Sequence, residues 1–224
     1  MLHWIPRLSA LCRLCGQYHK EHHAICHPCT LLLEPLGPAC YSCAVPLPAQ
    51  DPLRCGACSV QRPYLDRVIT AHRFTEPLRT LIHAFKYDSA LYLTSLLVEL
   101  MWTAKEGDYT TDCLIPIPLH HQRLKDRGFN QAAVLASQLS QKLQKPYDLY
   151  RCDKVIPTLP QAGLSAKERQ TNLKKAFRVS SLPYQHVTLV DDLFTTGSTA
   201  NEVAKTLKQR GVQRVDLWCC ARAC

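Results

Sequence analysis

From residue 64 onward the apolar positions alternate between short runs and longer stretches spaced by three and four, the mark of strands and helices in turn. Residues 68–74 predict a strand. Leu78, Leu81, Ile82 and Phe85 then share one helical face, with Thr75 as N-cap and Pro77 in the first turn. A second helix, about 89–105, turns Leu93, Leu96, Leu97, Leu100 and Met101 inward. Residues 113–117 form a short apolar strand bounded by prolines, Asn130 opens a helix reaching Leu143, and 148–152 predict a further strand. Ser165 and Glu168 make a capping box for a polar helix ending near Ala176. A strand at 186–190, a helix at 199–210 stopped by Gly211, and a strand at 213–220 complete the series. Such alternation predicts an α/β fold with a parallel sheet covered on both faces. Its ligands belong at the carboxyl ends of the strands.

Residues 1–60 follow another rule. Eight of the thirteen cysteines fall there as four C-x-x-C pairs: Cys12/Cys15, Cys26/Cys29, Cys40/Cys43 and Cys55/Cys58. The pairs are separated by ten, ten and eleven residues. Chance placement gives fewer than about one such pair in the whole chain, so free core cysteines are a poor explanation. A redox role is also disfavoured, because no βαβ context surrounds any pair. Two cysteines three apart can aim both sulfurs at one ion, and zinc takes four thiolates in a tetrahedron. Four pairs therefore predict two structural Zn²⁺ sites. Short loops close at low entropic cost, which favours sequential pairing, Cys12 to Cys29 and Cys40 to Cys58. Gly16 and Gly56 are read as the residues that permit the tight turns. His3, His19, His22, His23 and His27 are expected on the surface. Seven of the fifteen prolines lie here and long apolar runs are few, so metal is expected to supply much of the stability. The expected boundary divides 1–62 from 63–224.

Composition narrows the function classes. With 46% hydrophobic and 20% charged residues, the 224-residue chain is globular rather than disordered. No run of about eighteen apolar residues exists, and the best one, 91–101, contains Glu99, which argues against a transmembrane segment. Pro6 and Arg7 interrupt the place of a signal-peptide core. The expected location is cytoplasmic, where dense cysteines mean metal more than disulfides. Residues 1–60 hold four Lys/Arg and three Asp/Glu; eight thiolates with two divalent ions shift that formal +1 to −3. Residues 61–224 hold 23 basic and 15 acidic residues, a formal +8, so any surface for phosphates or nucleic acid belongs mainly there.

The segment V-T-L-V-D-D-L-F-T-T-G-S-T at 187–199 carries the chemistry. Four strand residues lead to adjacent carboxylates, Asp191 and Asp192. A loop of Thr195, Thr196, Gly197, Ser198 and Thr199 runs directly into a helix. Backbone N–H groups at a helix start, joined by hydroxyls, cradle phosphate, and a glycine admits close approach. Carboxylates beside such a cradle would repel the ligand unless they hold sugar hydroxyls or a metal. A phosphorylated ribose meets both demands.

This segment resembles the 5-phosphoribosyl-1-pyrophosphate (PRPP) signature of type I phosphoribosyltransferases, and nearly the whole chain is similar to the bacterial ComF/GntX family. Further matching segments are F-K-Y at 85–87, I-P-I-P at 115–118, R-L-K-D-R-G-F-N-Q at 123–131 and T-L-P-Q-A-G-L-S-A-K-E-R-Q-T-N-L-K-K-A-F at 158–177. The four cysteine knuckles match the double zinc ribbon that heads many members. The resemblance implies that Asp191 and Asp192 hold the ribose hydroxyls and that residues 195–199 hold the 5-phosphate, with Mg²⁺ accompanying PRPP. It implies that residues 115–119, with Pro116, Ile117 and Pro118, form the pyrophosphate loop, assisted by Arg123 and Arg127. It makes 157–176 a flap carrying Gln161, Arg169 and Asn172, of which Gln161 and Arg169 are the catalytic candidates. The family's association with natural transformation implies handling of incoming single-stranded DNA, with competence or DNA-processing proteins as partners. Arg123, Lys125, Arg127, Lys174 and Lys175 are the candidate backbone contacts, and Phe129 and Tyr87 the candidate stacking residues. Cys113, Cys219 and Cys220 are expected in the core, whereas Cys152 and Cys224 carry no message.

Overall fold

The computed structural model describes residues 9–21, 23–48, 53–105, 107, 109–156 and 176–224. The cysteine-rich part contains a hairpin, β1 (Ala10–Leu11) with β2 (Tyr18–His19), and two short helices, α1 (His27–Thr30) and α2 (Gly56–Val60). There follow β3 (Arg67–Ile69), β4 (His72–Arg73), α3 (Leu78–Tyr87), a 3₁₀ turn (Leu91–Leu93), α4 (Thr94–Thr103) and β5 (Cys113–Pro116). Next come α5 (His121–Arg127), α6 (Gln131–Leu143), β6 (Cys152–Lys154) and β7 (Phe177–Val179). The last elements are β8 (His186–Phe194), α7 (Ser198–Lys208) and β9 (Arg214–Arg222).

The central sheet is parallel, with β3 and β4 both against β9, then β8, then β5. Val187 to Val190 and Val215 to Ala221 are fully buried, as strands covered on both faces must be. Alternate strand residues feed two cores. Leu114, Val190, Trp218 and Cys220 face the layer of α3, α4 and α6. Cys113, Ile115, Leu189, Leu217 and Cys219 face the layer containing α7 and the β6–β7 pair. Trp218 donates its indole N–H to the Met101 carbonyl at 2.9 Å, so its one polar atom is satisfied. At the amino ends of the strands, buried Asp216 accepts from Tyr109 (2.8 Å) and lies 3.0 Å from both His186 Nε2 and an Arg214 nitrogen.

The cysteine-rich segment runs along the outer edge of this sheet. Leu36 N–H donates to the Ala71 carbonyl (2.8 Å), Arg73 N–H to Glu34 (3.0 Å) and Val68 N–H to Tyr41 (3.0 Å). Cys12, Ile25, Cys26, Cys29 and Leu33 join the α3–α4 core, and Leu36 and Ala44 join the core beneath α7. The two halves of the segment thus pack on opposite layers.

Several expectations need correction. The run at 68–74 is two short strands, because the Ala71 carbonyl pairs with Leu36 instead of continuing the ladder. Thr75 is not the helix cap: its hydroxyl donates to Glu34, while Glu76 receives the N–H and hydroxyl of Thr80. The second helix begins as a 3₁₀ turn and becomes α-helical only at Thr94. The strand placed at 148–152 starts at Cys152, since Asp148 accepts from the N–H groups of Tyr150 and Arg151 and makes a turn. Helix α5 was not expected; it buries no residue and so leaves no periodic signal. Gly56 opens α2 without a positive φ, and the tight-turn positions are Gly16 (φ 71°) and Ala44 (φ 52°). His19 is buried against Glu21 at 2.6 Å, not on the surface. Cys152 is buried and Cys224 exposed. The polar helix expected from Ser165 lies outside the described residues.

Candidate functional site

The sulfurs of Cys12, Cys15, Cys26 and Cys29 lie within 4.8 Å of one another, and so do those of Cys40, Cys43, Cys55 and Cys58. Cys15 and Cys26 sulfurs are 3.7 Å apart, as are those of Cys43 and Cys55. A tetrahedron with Zn–S bonds of about 2.3 Å has edges of about 3.8 Å, so both clusters fit structural zinc, and the pairing is sequential. The first knuckle closes by Gly16 N–H to the Cys12 carbonyl (2.9 Å), the third by Ala44 N–H to Cys40 (2.7 Å). Burial raises the Cys12 thiol pKa, but N–H groups of Cys15, Cys26 and Leu14 outweigh it and bring the value to about 6. Cys40 is brought to about 7 by the same opposition. Backbone donors thus favour one thiolate in each cluster, whereas burial and the neighbouring sulfurs raise the pKa of Cys29, Cys43 and Cys58.

The second site lies at the carboxyl ends of the parallel strands. β8 runs on past Val190 because β9 keeps pairing with it, Asp191 opposite Cys219 and Phe194 opposite Arg222. Strand alternation sends Asp192 toward α3 and Asp191 toward the threonine-rich loop. A cleft of about 230 Å³ lies over them, walled by Lys86, Ile117, Pro118, Arg123, Arg127, Lys154, Thr195 and Thr199. Lys86 Nζ sits 3.0 Å from Asp192 Oδ1. Burial would lower the Lys86 pKa, but Asp192 and Asp191 hold it above the ordinary value. Asp191 is pushed well above the usual carboxylate range, first by burial and then by the neighbouring Asp192 charge. Asp192 Oδ2 is buried without a hydrogen-bond partner, an acceptor suited to a sugar hydroxyl.

The loop after β8 has the phosphate-cradle geometry. Gly197 adopts φ 75° and precedes α7, whose first amides have no carbonyl of the helix to donate to, and the Ser198 N–H meets Thr196 Oγ1 at 3.5 Å. Thr196 and Ser198 hydroxyls are 3.0 Å apart at its mouth. A Cβ on Gly197 would stand 2.5 Å from the Phe194 ring, so glycine is required both by conformation and by space. A small hollow of about 50 Å³ is enclosed by Asp191 and residues 193–200.

The basic motif divides into residues that line the cleft and residues that hold its wall in place. Arg123 and Arg127, four apart on α5, reach the cleft, whereas Lys125 is exposed and does not line it. Arg127 also donates to Gln131 (2.7 Å), whose amide donates to the Lys86 carbonyl (3.1 Å). Asn130 caps α6 by accepting from Ala132 N–H and holds the Ile117 carbonyl at 3.1 Å. Ile117 N–H donates to Val190 (2.9 Å), which seats residues 115–119 beside Asp191. Pro116 pairs opposite Val190 in β5 and does not itself wall the cleft. Phe129 packs against Phe85 and Tyr87 lies exposed with Arg127 over its ring.

Two residues were missed as site residues. Lys86 stands in the F-K-Y segment directly after buried Phe85, on a helix that also carries Arg79, Thr80 and His83, so its spacing does not mark it as a site residue. Lys154 lies on β6, and burial followed by the nearby Arg123 charge lowers its pKa to about 8. Nothing in a three-residue strand marks it. Gln161, Arg169, Asn172, Lys174 and Lys175 lie outside the described residues.

A family model, the phosphoribosyl transferase domain, matches residues 130–223. Competence protein F of Haemophilus influenzae is 36% identical over 220 residues, 93% of this chain and 94% of that protein. DNA utilization protein YhgH of Salmonella typhimurium is 34% identical over 226 residues, 97% of this chain and 98% of that one. Competence protein ComFC of Bacillus subtilis is 32% identical over 108 residues, covering 44% of this chain and 39% of the relative. Among the described residues no helix is long and apolar enough to cross a membrane. With the parallel sheet, the acid pair and Gly197 loop at its carboxyl edge, and two four-cysteine clusters ahead of them, the chain belongs to the competence protein F (ComF) family, a phosphoribosyltransferase-type fold joined to a cysteine-rich ribbon.

Proposed function

We propose that the protein binds PRPP with Mg²⁺ in the cleft over Asp191 and Asp192 and works in the cytoplasmic handling of incoming single-stranded DNA during natural transformation. One observation carries the PRPP reading: a buried, unpartnered carboxylate oxygen on Asp192 in a cleft continuous with the Gly197 loop. Ribose hydroxyls would satisfy that oxygen, and the loop amides would take the 5-phosphate. Lys86, Arg123, Arg127 and Lys154 supply cations for the pyrophosphate end, and Mg²⁺ would offset its remaining charge. The DNA role is supported by relatives named for competence and for DNA utilization. The same cations and exposed Tyr87 offer phosphate and stacking contacts, with affinity that falls steeply with salt and depends little on base sequence.

A second reading is a phosphoribosyltransferase that passes the ribosyl group to a nucleobase or amine and releases pyrophosphate. The basic wall of the cleft favours it, because it places positive charge where a leaving pyrophosphate needs it. Gln161 and Arg169 are proposed as its catalytic residues.

Pyrophosphate release from PRPP across a panel of nucleobases, with and without single-stranded DNA, separates the two. Binding without turnover, together with salt-sensitive DNA binding, supports the first. Turnover with a defined acceptor supports the second. Absence of PRPP binding by calorimetry defeats both.

A further inference from the structure

We propose that Arg222 is a positioning residue that couples the second cysteine cluster to the phosphate loop, so that metal held by Cys40–Cys58 and a sugar phosphate on the loop stabilise each other's sites. The inference rests on the PRPP reading of that loop.

Arg222 closes β9, directly opposite Phe194 at the end of β8. Its Nε donates to the carbonyl of Cys43, a member of the second cluster, at 3.0 Å. Its Nη1 donates to the carbonyls of Phe194 (3.3 Å) and Thr195, the residues that launch the loop. The guanidinium carbon also lies 5.0 Å from the centre of the Phe194 ring. That ring stands where a Gly197 Cβ would be, so it sets the space available to the loop. One planar group with its donors in a fixed fork therefore spans the metal knuckle and the loop, and moving either moves the other. A lysine could reach one carbonyl but could not hold carbonyls on both sides in one plane.

A second observation places the sites side by side. Cys43 and Cys58 form one wall of a cavity of about 500 Å³ whose other wall includes Thr196, Gly197 and Ser198. The first cluster provides an internal control, because Cys12, Cys26 and Cys29 pack into the other core, with α3 and α4. Binding linkage is reciprocal: if metal at the second cluster tightens phosphate binding, phosphate raises metal affinity there by the same factor.

The test uses the full zinc-loaded chain, ribose 5-phosphate and a chromogenic chelator. Calorimetry first establishes that ribose 5-phosphate binds; no binding overturns the site reading and the coupling together. With binding established, saturating ribose 5-phosphate should raise the affinity for one of the two zinc ions by about fivefold or more, read from equilibrium competition with the chelator, and leave the other unchanged. A Cys15→Ser chain, disabled at the first cluster, assigns the protected ion to the second. Arg222→Lys should keep two zinc ions, lose the protection and bind ribose 5-phosphate about tenfold more weakly. Bound sugar phosphate with unchanged equilibrium affinity for both ions in the wild-type chain overturns the coupling while leaving the PRPP reading intact. That arm needs no variant, so it decides the question even if Arg222→Lys fails to fold; protection that survives in Arg222→Lys denies Arg222 the role.

Discussion

Lys86 Nζ stands 3.0 Å from Asp192 Oδ1, while the second oxygen of the same buried carboxylate meets no partner. The lysine neutralises one oxygen from α3 and leaves the other ready for a ligand. Removing it strands a buried charge. Lys86→Met should cost up to about 3 kcal/mol in urea unfolding near neutral pH. The Lys86 pKa lies above its ordinary 10.5, so its contribution is full below about that pH and is lost as pH rises through the folded value. Wild type and variant should therefore converge in stability in strong alkali; a gap that stays constant to high pH contradicts the ion pair.

Asp191 carries the opposite sign. Its folded pKa is raised above 3.8, so folding favours the neutral acid and stability falls as pH climbs from 3.8 through the folded value. Asp191→Asn should raise the melting temperature at neutral pH and at the same time weaken PRPP binding at least tenfold, readable by thermal denaturation and calorimetry.

Gly197→Ala meets two penalties, a left-handed backbone and a Cβ against the Phe194 ring. The conformation alone costs about 1–2 kcal/mol. We expect a destabilised chain in which ribose 5-phosphate binding is lost, whereas Gly211→Ala, also at positive φ but with open space around it, should lower stability and keep binding.

Asp216 tests the reverse separation. It sits at the far ends of the strands, fully buried with His186, Arg214 and Tyr109 around it. Burial would raise its pKa, but those partners hold it below 3.8, so its stabilisation is present above that pH and lost as pH falls through the folded value. Asp216→Ala should cost about 3–5 kcal/mol and leave PRPP affinity of the folded protein unchanged.

Elemental analysis of the purified chain should find two zinc ions. Cys29→Ser and Cys58→Ser should each lose one, because every sulfur in the two clusters belongs to a closed set of four. A single ion in the wild type, or both lost from one substitution, speaks against two independent sites.

How much of the molecule is legible in its sequence depends on the range of the forces involved. The cysteine spacing is legible because metal binding needs local geometry, and both clusters pair as the short loops suggest. The parallel sheet is legible because Val187 to Val190 and Val215 to Ala221 are buried on both faces. Asp191, Asp192 and the Gly197 loop occupy consecutive positions, so their motif survives in one dimension. Lys86 and Lys154 do not. They meet Asp192 and Arg123 only after residues more than thirty or a hundred apart are packed together, and no local pattern marks such contacts. Helix α5 is invisible for a different reason: it is held by the His120 cap and the left-handed Gly128 stop, not by an apolar face.

The run of main-chain bonds from Glu34, Leu36 and Tyr41 to β3 and β4 has a colloidal consequence. An open strand edge is a template for pairing with another molecule, and β3–β4 would be such an edge without its neighbour. The ribbon therefore works as a selvedge, a finished border that keeps the sheet from joining a second one. Chelating the metals would do more than loosen a small appendage. It would bare hydrogen-bonding groups beside Val68 and Ile69, so a chain cut back to 61–224 should tend to self-associate through that border even where the cleft over Asp191 and Asp192 is whole.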